Sequence, residues 1–513
     1  MGIGKEKVIS PIRLLLRIVV SLFLIVLQLF IYYLLFVGSF NLPYVYLISF
    51  IISIILVIHL YNSNDNVSYK IVWIMIILLL NVTGPLLYLC FGNGNNLPMR
   101  KNKKISGYLL SLIEENNVIT EISENDLFGA RCASYLHNTT GLYPYHNQGE
   151  EFYSDGSLMF DAMIDAIDKA KKYIFLEYFI VASGKMLDRL IEHLRLAHDR
   201  GVEIKFIYDY VGCNVPKVLN KKDKITLTEI TNNNFIAYNP LGINFNLGIN
   251  YRDHRKILLI DGLECFVGGI NIADEYIHEK SRFGIWRDNG MKIYGEAVNN
   301  YLLMFSVMWY MSTKEMLDAN KYKNDSVIEN KEGYIFPFSD GPMNRKNPAY
   351  ELFSKLINNA KEKIYISTPY LVIDNLFLKA IANQAKSGVE VIVLVPEIPD
   401  KKMVYLMTEN NLKILIDSGV KIYKFKEGFN HAKTIVVDDK YSVIGTINTD
   451  YRSMFLHFEC GNLLINTPSV REIEKDFLET LDKSVEIKKE DLSKMNPFKR
   501  IIGFFLSIFS PLF

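Results

Sequence analysis

From about residue 150 onward the chain repeats one unit of alternating helix and strand, and this duplication constrains the fold more than any other feature. Residues 159–181 show an amphipathic helical pattern followed by an apolar strand pattern, and residues 187–212 repeat that order. Residues 350–372 and 376–396 show the same order again, and the junctions "RGVEIKFIYD" and "SGVEVIVLVP" align residue by residue. A repeated helix-and-strand unit of this kind predicts an α/β fold made of two similar lobes.

Each copy of the unit contains one stretch with the spacing H-x-K-x4-D. These residues are His254, Lys256 and Asp261 in the first copy and His431, Lys433 and Asp438 in the second, and each Asp is followed downstream by small residues and an Asn, namely Asn271 and Asn448. Residues two apart in a strand point to the same side, so the His and Lys of each copy share a face. The apolar residues after each Lys predict a strand anchored in a core, and the odd spacing of the Asp predicts that the strand turns there.

A histidine, a lysine and an asparagine that occur together twice suit chemistry on a phosphodiester. Lysine and asparagine donors can hold phosphoryl oxygens, one histidine can attack phosphorus, and a second can serve as general acid and base. The lysines carry the positive charge, so no metal or other cofactor is required. A single H-x-K at a strand end is more often a solvated edge, whereas two copies within a duplicated unit are far more specific.

Other functional classes lack their sequence signatures. No G-x-S-x-G elbow and no G-x-x-x-x-G-K-[ST] loop occurs, which weighs against a serine hydrolase and a P-loop nucleotide hydrolase. The five cysteines form no CxxC pair and predict reduced thiols rather than a disulfide framework or a zinc site. A formal net charge of +1 gives no basic field of the kind that nucleic-acid binders carry, so no nucleic-acid partner is expected.

The first hundred residues are strongly apolar. No Asp, Glu, Lys or Arg occurs from Ile18 to Asn64, and three apolar runs cover 18–38, 44–61 and 71–92. Each run is near the length that crosses a hydrocarbon core as a helix, which predicts a multi-pass anchor in the cell membrane. Basic residues flank the first and third runs, which places both flanks and the catalytic part on the cytoplasmic face but conflicts with an odd number of crossings.

These patterns predict a division of the chain into an anchor, two lobes and their connections. The predicted parts are a membrane anchor at 1–98, a connecting region at 99–150 with a helix around 105–116, a first lobe at 151–312 with its motif at 249–276, a polar linker at 313–345, a second lobe at 346–496 with its motif at 426–453, and an apolar tail at 497–513. The tail has Lys499 and Arg500 ahead of about a dozen apolar residues, too few to span a bilayer. It is expected to be an interfacial helix or an element packed on the catalytic part.

The chain resembles the phospholipase D superfamily and, within it, the bacterial cardiolipin synthases. The resemblance rests on "LEYFI", "NYRDHRKILLIDG", "GGINIADEY", "WRDNGMKIYG", "SDGP", "STPYLVIDN", "GFNHAKTIVVDD" and "GTINTDYRSMFLHFE", which are spread over nearly the whole chain. It implies two α/β lobes with mixed sheets, related by a pseudo-twofold axis and preceded by transmembrane helices, with the active site between them. The apolar run at 18–38 departs from the two spans usual in that family.

The resemblance also implies a reaction in which two phosphatidylglycerols give cardiolipin and glycerol through a phosphatidyl-histidine. Either His254 or His431 would attack phosphorus, and the usual arrangement in the family favours His254. Asp261 and Asp438 would belong to the catalytic residues because they order each motif. Asp288 and Glu459 match the positions of carboxylates that orient the catalytic histidines, and an ordinary salt bridge is the alternative for both. The remaining alternatives are a phospholipase D hydrolase, a transferase using another donor such as phosphatidylethanolamine, a nuclease and a non-catalytic scaffold; the oligomeric state stays open.

Overall fold

The computed structural model describes most of the chain after residue 43. The described ranges are 43–80, 82–92, 114–214, 218–240, 250–324, 328–342, 346–493 and 497–512, with a few positions between 26 and 33. The chain divides into two compact units, the first made of residues 1–101, 239–251 and 511–513 and the second of residues 102–238 and 252–510.

The described residues of the first unit are mainly helical. Its helices are α1 (Pro43–Tyr61), α2 (Val67–Leu79) and α3 (Thr83–Leu87), followed by a π-helical turn at Tyr88–Gly92. The predicted run 44–61 coincides with α1, whereas the run 71–92 is broken between α2 and α3, where a Cβ on Gly84 would lie 2.5 Å from the carbonyl oxygen of Ile76. The run 18–38 lies almost entirely outside the described residues. Among the described residues, no helix has both the length and the apolar character needed to cross a membrane, and the predicted spans stay predictions.

The second unit begins with two helices and two short strands. They are α4 (Val118–Asn125), α5 (Leu127–Thr140), β1 (Tyr145–His146) and β2 (Glu150–Tyr153). Most of the helix expected around 105–116 lies outside the described residues. Residues 118–153 belong to the second unit, which carries both lobes and is called the catalytic unit below. Within it the Tyr441 hydroxyl donates to both carboxylate oxygens of Asp126 at 2.8 Å.

The first lobe is a seven-stranded mixed sheet covered by helices. Its further elements are α6 (Gly156–Lys169), β3 (Tyr173–Tyr178), α7 (Lys185–Asp199), β4 (Glu203–Asp209), α8 (Tyr210–Cys213), α9 (Lys221–Ile230), β5 (Phe235–Tyr238), β6 (Lys256–Ile260), β7 (Glu264–Gly268), β8 (Ile285–Arg287), β9 (Gly290–Tyr294) and α10 (Val298–Thr313). The strand order is β2-β9-β7-β6-β3-β4-β5, with β3, β4 and β5 parallel and the others antiparallel. Every residue of β3 and β6 is buried, as their continuous apolar runs predict.

The second lobe repeats this plan in a nine-stranded sheet. Its elements are β10 (Tyr334–Asp340), α11 (Pro348–Asn359), β11 (Lys363–Ser367), β12 (Leu371–Val372), α12 (Asn375–Lys386), β13 (Glu390–Pro396), α13 (Lys402–Ile416), β14 (Lys421–Phe425), β15 (Gly428–Asn430), β16 (Thr434–Val437), β17 (Tyr441–Gly445), β18 (Thr449–Asp450), α14 (Tyr451–Phe455), β19 (Glu459–Ile465), α15 (Pro468–Leu481) and β20 (Ser484–Ile487). The strand order is β1-β10-β19-β17-β16-β11-β13-β14-β20.

The two sheets share one topology at their centres. In the first lobe the neighbours run β4-β3-β6-β7-β9, and in the second they run β13-β11-β16-β17-β19. The parallel pair lies on the same side in both, and the two H-x-K strands, β6 and β16, occupy equivalent central positions. The predicted mixed α/β architecture with two similar lobes is confirmed.

The segment expected to be a polar linker contributes a strand to the second sheet. Tyr334–Asp340 forms β10, which pairs antiparallel with β19 along its full length and holds β1 on its other side. Five of its seven residues are buried. The pattern "YIFPFSD" therefore lacks the strict alternation of apolar and polar residues that a strand with one exposed face shows. This strand therefore ties the region before the first lobe to the second lobe.

The chain ends in two helices, α16 (Lys489–Ser493) and α17 (Pro497–Ile508), and short 3-10 turns occur at Asp274–Ile277, Gly295–Ala297, Ala319–Tyr322 and Ser510–Leu512. Leu506 of α17 packs against a buried cluster of Val372, Met407 and Tyr451 in the second lobe. The tail is therefore a helix with one side packed on the catalytic part, which was the alternative expectation, and its position in a membrane interface stays a prediction.

Candidate active site

Each motif histidine is hydrogen bonded to a carboxylate from the other lobe. The Nδ1 of His254 lies 2.9 Å and 3.1 Å from the carboxylate oxygens of Glu459, and the Nδ1 of His431 lies 2.5 Å from Oδ2 of Asp288. Both histidines are only 7% exposed, and both carboxylates are buried. A carboxylate that accepts from Nδ1–H fixes the tautomer, so that each Nε2 carries the lone pair and points away from its partner.

Backbone pairing across the lobes brings these side chains together. The strands β8 and β15 pair in parallel, and the next amide along, that of His431, donates to the carbonyl oxygen of Arg287 at 2.7 Å, immediately before Asp288. In the same way the amide of His254 donates to the carbonyl oxygen of Phe458 at 2.9 Å, immediately before Glu459. The two halves of the site are thus joined by similar backbone contacts, a parallel pair of short strands beside His431 and a single parallel bridge between Asp253 and Phe458 beside His254.

The motif lysines are fully buried beside the histidines. Lys256 and Lys433 each donate through Nζ to the carbonyl oxygen of the histidine two residues earlier, that is, of His254 and His431. Lys433 also lies 3.9 Å from Oδ2 of Asp288. Since two buried ammonium groups lie close enough to act on both histidines, the site is suited to an anion rather than to a cation.

The two asparagines differ in their contacts. Asn271 accepts from the amide of Ile180 at 3.0 Å and donates to the Tyr276 hydroxyl at 2.7 Å, so most of its amide is used within its own lobe. The Oδ1 of Asn448 is buried and has no hydrogen-bond partner among the described residues. Only Asn448 therefore retains an uncommitted polar atom.

Asp261 and Asp438 lie at the far ends of the motif strands, five residues and about 16 Å by strand rise beyond the motif lysines. Each adopts a left-handed conformation, with φ of 52° and 54°, and each carboxylate accepts hydrogen bonds from three consecutive backbone amides. These amides belong to residues 171–173 and 361–363, at 2.7–3.0 Å. The strand therefore turns where the spacing predicts, and this position suits the ordering of each motif rather than contact with the reacting atoms.

Burial dominates the electrostatics of the site. It lowers the pKa of His254 and of His431 well below the ordinary value, and the charges of Lys256 and Lys433 act in the same direction. Burial also lowers the pKa of Lys256 to about 8 and of Lys433 to about 7, and it raises the pKa of Asp288 to about 6. Near neutral pH both imidazoles are therefore neutral and able to act as nucleophile or base.

Aromatic rings line the two histidines. Trp286, Phe429 and Tyr276 lie with ring centroids 5.2 Å, 5.6 Å and 5.8 Å from His431, and Phe179 lies 4.9 Å from His254. These four aromatic residues lie in four separate stretches on which the family resemblance rests, but none of them was singled out as a site residue from the sequence. Their rings restrict the access of water to the imidazoles.

Lys401 is a site residue that the motifs do not identify. It is exposed, its Nζ lies 4.8 Å from the ring centroid of Tyr370, and its charge lowers the pKa of both His254 and His431. The residue lies just before α13, in a loop without motif character, and its position near both histidines follows only from the fold. The exposed surface around Lys401 is called the mouth of the site below. Sequence reasoning had no signal with which to find it.

His457 is a third histidine beside the pair, and it was visible only as part of "LHFE". Its ring centroid lies 5.3 Å from that of His254, and burial lowers its pKa to about 3. With His254 and Glu459 it forms a group whose potential metal-ligating atoms lie within 4.8 Å of one another. Glu459 is already bound to His254, and two lysine charges are close by, so this donor set does not favour a metal cation.

A buried network of charged residues holds the backbone of Glu459, the residue whose carboxylate binds His254. Arg255 lies 3.5 Å from Glu177, and its Nε donates to the carbonyl oxygen of Glu459 at 3.2 Å. Burial raises the pKa of Glu177 and of the neighbouring Asp253. Arg255 thus links the first sheet to the backbone of the carboxylate that holds His254.

Removing the Asp261 carboxylate is expected to weaken the fold rather than the chemistry. Asp261→Ala leaves three backbone amides without their acceptor and places alanine at positive φ, so we expect a loss of about 2–4 kcal/mol in the free energy of unfolding. Asp261→Asn, which tolerates positive φ and keeps one acceptor oxygen, should lose less. Thermal or chemical denaturation of the full chain in detergent measures the difference.

The matched control is Asp199→Ala, which removes an exposed carboxylate from the end of α7 in the same lobe. We expect it to change stability by less than about 0.5 kcal/mol. Equal stability of Asp261→Ala and Asp199→Ala would contradict the ordering role.

Comparisons with known proteins agree with this geometry. The family model described as cardiolipin synthase, PLD-like domain, matches residues 163–309 and 353–481, one stretch in each lobe, and the model described as phospholipase D-nuclease N-terminal matches residues 51–93. An uncharacterized protein of Streptococcus mutans is 33% identical over 89% of this chain and 99% of its own length. Cardiolipin synthase 2 of Bacillus anthracis is 31% identical over 88% of each chain.

Among solved structures, phosphatidylserine synthase of Haemophilus influenzae superposes with a TM-score of 0.58 at 17% identity, covering 74% of this chain and 97% of that one. This likeness supports the two-lobed fold alone. The sequence matches reach further, because they extend over both lobes at more than 30% identity. The chain belongs to the cardiolipin synthase family of phospholipase D-like proteins.

Proposed function

We propose that this protein is a cardiolipin synthase, which transfers a phosphatidyl group from one phosphatidylglycerol to another and releases glycerol. The observation that carries the proposal is the pair of buried histidines, each held at Nδ1 by a carboxylate of the opposite lobe, in a chain of the cardiolipin synthase family. The pair supplies a nucleophile and a general acid–base around one phosphodiester.

In the first half of the reaction, Nε2 of His254 attacks phosphorus of the first phosphatidylglycerol. The bond from phosphorus to the glycerol headgroup oxygen breaks, and that oxygen takes a proton from Nε2 of His431, so that glycerol leaves. Glu459 stabilises the positive charge that develops on the His254 ring, and Asp288 holds the His431 ring in the orientation that delivers the proton.

In the second half, the headgroup hydroxyl of a second phosphatidylglycerol attacks the phosphatidyl-histidine. His431 takes the proton of this hydroxyl, the bond from phosphorus to Nε2 of His254 breaks, and cardiolipin forms. His254 returns to its neutral state and His431 is again protonated, so the cycle closes without a metal or a redox partner.

The buried lysines are proposed to hold the non-bridging phosphoryl oxygens during both steps, together with the amide of Asn448. His431 must carry a proton to act as the general acid, whereas burial and the charges of the two lysines lower its pKa. A bound phosphodiester anion offsets those charges, because it lies between them and the imidazole. Binding of substrate therefore raises the pKa of His431 and couples substrate binding to proton uptake.

Transfer to a lipid alcohol instead of water follows from the same burial. The histidines are 7% exposed and are surrounded by aromatic rings, so little water reaches the phosphatidyl-histidine. A lipid alcohol delivered from a bilayer is then the favoured acceptor. We therefore also propose that the protein is a multi-pass membrane protein through the apolar runs at 18–38, 44–61 and 71–92, with its catalytic lobes on the cytoplasmic face.

Incubation of the full chain with phosphatidylglycerol alone tests the function. Cardiolipin and free glycerol in equal amounts are expected. Release of phosphatidic acid without cardiolipin would instead identify a hydrolase, and cardiolipin formed only after addition of phosphatidylethanolamine would identify a transferase with another donor.

The roles of the two histidines predict different trapping behaviour. With phosphatidylglycerol labelled in its phosphate, His431→Ala should still form a phosphatidyl-enzyme, because its nucleophile is intact, although turnover falls by about 10²–10⁴-fold for want of the acid. His254→Ala should give no label on the protein. Rapid quenching followed by denaturing electrophoresis measures the label.

The reverse pattern, with label on His254→Ala and none on His431→Ala, would exchange the two roles without changing the reaction. Label on both variants, or full turnover in either, would contradict a two-histidine mechanism. His193→Ala, which alters a partly buried histidine on α7 that is hydrogen bonded to Asp168 instead of to a site carboxylate, is the matched control and should behave as the unaltered chain.

The pKa values of the site predict a bell-shaped pH dependence of kcat/KM. Below about 6, protonation of Asp288 removes the acceptor that orients His431, and above about 7 to 8 Lys433 and then Lys256 lose the charge that binds phosphate. Activity should therefore fall as pH moves out of this window in either direction. Lys433→Arg, whose guanidinium stays charged, should move the alkaline limb of the residual activity upward; an unchanged alkaline limb would contradict the assignment.

Lys401 at the mouth is expected to attract the anionic headgroup. Lys401→Ala should lower kcat/KM roughly 3–10-fold at low ionic strength, with a smaller loss at high salt where the charge is screened. Lys386→Ala, which removes an exposed lysine of the same lobe, is the control and should have little effect. A salt-independent loss in Lys401→Ala would show that its charge is not the cause.

A further inference from the structure

The C-terminal helix α17 is seated closely on α13. Gly503 makes this approach possible, since a Cβ at this position would lie 3.0 Å from the carbonyl oxygen of Leu406 and 3.0 Å from Nδ2 of Asn410. One turn further, Leu506 packs against the buried cluster that contains Met407 and Tyr451. The side of α17 that carries Gly503 and Leu506 is therefore fixed to the second lobe.

The opposite side of α17 carries large apolar side chains that remain exposed. Phe498, Ile501, Phe504 and Phe505 are 69%, 55%, 64% and 58% exposed. Phe498, Ile501 and Phe505 recur at the three- and four-residue spacing of one helix face. The exposed apolar surface continues at the start of α13 with Met403, 56% exposed, and just before it with Ile398, 40% exposed. These six residues are called the docking face below.

The charges around the docking face have one dominant sign. Residues 494–513 contain three basic residues and no Asp or Glu. Lys499 is exposed on α17, and Lys401 and Lys402 are exposed at the start of α13. The nearby carboxylates of Asp400 and Glu409 are bound to Tyr370 and Lys424. A basic border around an apolar face complements an anionic lipid surface, whose headgroups meet the lysines while its acyl chains receive the aromatic rings.

The docking face is connected to the active site through α13 and α14. Lys401, which acts on both catalytic histidines, immediately precedes α13. Tyr451, part of the cluster on which Leu506 packs, follows Asn448 by three residues. The helices that seat α17 thus begin next to residues of the site, α13 directly after Lys401 and α14 three residues after Asn448.

We propose that the docking face is a second membrane contact, in which α17 lies in the surface of an anionic phospholipid layer and holds the mouth of the active site against it. A 12-residue helix spans about 18 Å, too short to cross the hydrocarbon core, and an interfacial position buries its apolar side while its other side stays on α13. The proposal deepens the proposed function and rests on it only for the identity of the lipid substrate in that layer.

A contact measurement tests the docking face independently of catalysis. Phe505→Cys in the full chain is labelled with bimane and reconstituted in vesicles of phosphatidylglycerol and phosphatidylcholine that contain a lipid with a spin label near the headgroup end of its acyl chain. The emission should be blue-shifted, and quenching should be several-fold stronger than for the same probe at Leu196→Cys, an apolar position on α7 that is 49% exposed. The unaltered chain, treated identically, measures the contribution of the five native cysteines.

Equal quenching at the two positions would overturn the proposal, as would quenching that does not depend on phosphatidylglycerol. Disulfide-linked dimers of Phe505→Cys without quenching would instead identify a second copy of the chain as the occupant, and this outcome also overturns it.

A kinetic measurement separates the docking face from the chemistry. Phe504→Ser with Phe505→Ser should reduce turnover of phosphatidylglycerol in vesicles several-fold and leave turnover of a short-chain phosphatidylglycerol in detergent unchanged. Equal turnover by the variant and the unaltered chain in vesicles would overturn the proposal. Absence of cardiolipin from the unaltered chain would instead contradict the proposed function, while the quenching result would stand.

Discussion

The reciprocal hydrogen bonds between histidine and carboxylate are the interaction on which the catalytic unit depends. His254 belongs to the first lobe and is held by Glu459 of the second, and His431 of the second lobe is held by Asp288 of the first. Neither lobe alone contains a complete site, because each supplies the imidazole of one half and the carboxylate of the other. The site therefore exists only when the two lobes are packed in the correct register, which the parallel backbone pairing of β8 with β15 enforces.

This exchange also explains how two ammonium groups can be buried together. Desolvation makes each lysine charge unfavourable, and the lowered pKa values of Lys256 and Lys433 record that cost. The carboxylates of Asp288 and Glu459 raise the pKa of both lysines and offset part of it. A phosphodiester anion supplies the remaining negative charge, so the site is electrostatically most favourable when it holds its substrate. The same argument favours an anion over a cation at this buried site.

Much of this arrangement can be predicted from the sequence because the chain contains the motif twice. The strand periodicity of "HRKILLID" and "HAKTIVVD" predicts that each His and Lys share a face of a strand. In the structure both pairs are buried where the equivalent strands β6 and β16 begin, but only Lys256 is a strand residue, and His254, His431 and Lys433 precede their strands. The turn at Asp261 and Asp438 also follows from spacing, since an odd offset in a strand points to the other face. The roles of Asp288 and Glu459 came only from family resemblance, because no local rule connects residues separated by 143 and 205 positions.

The duplicated α/β plan, the strands that follow the histidines and the apolar ends of the chain can all be predicted from the amino-acid sequence, because hydrophobic periodicity and motif spacing are local properties. Three features follow from the packing of distant parts of the chain: the segment at 334–340 joins the second sheet, the carboxylates cross between lobes, and Lys401 lies near both histidines. The close approach of the C-terminal helix to α13 at Gly503 follows from the same packing. These features depend on contacts between surfaces that are distant in sequence. The free energy of these contacts comes from packing and burial over the whole unit, which no short stretch of sequence encodes.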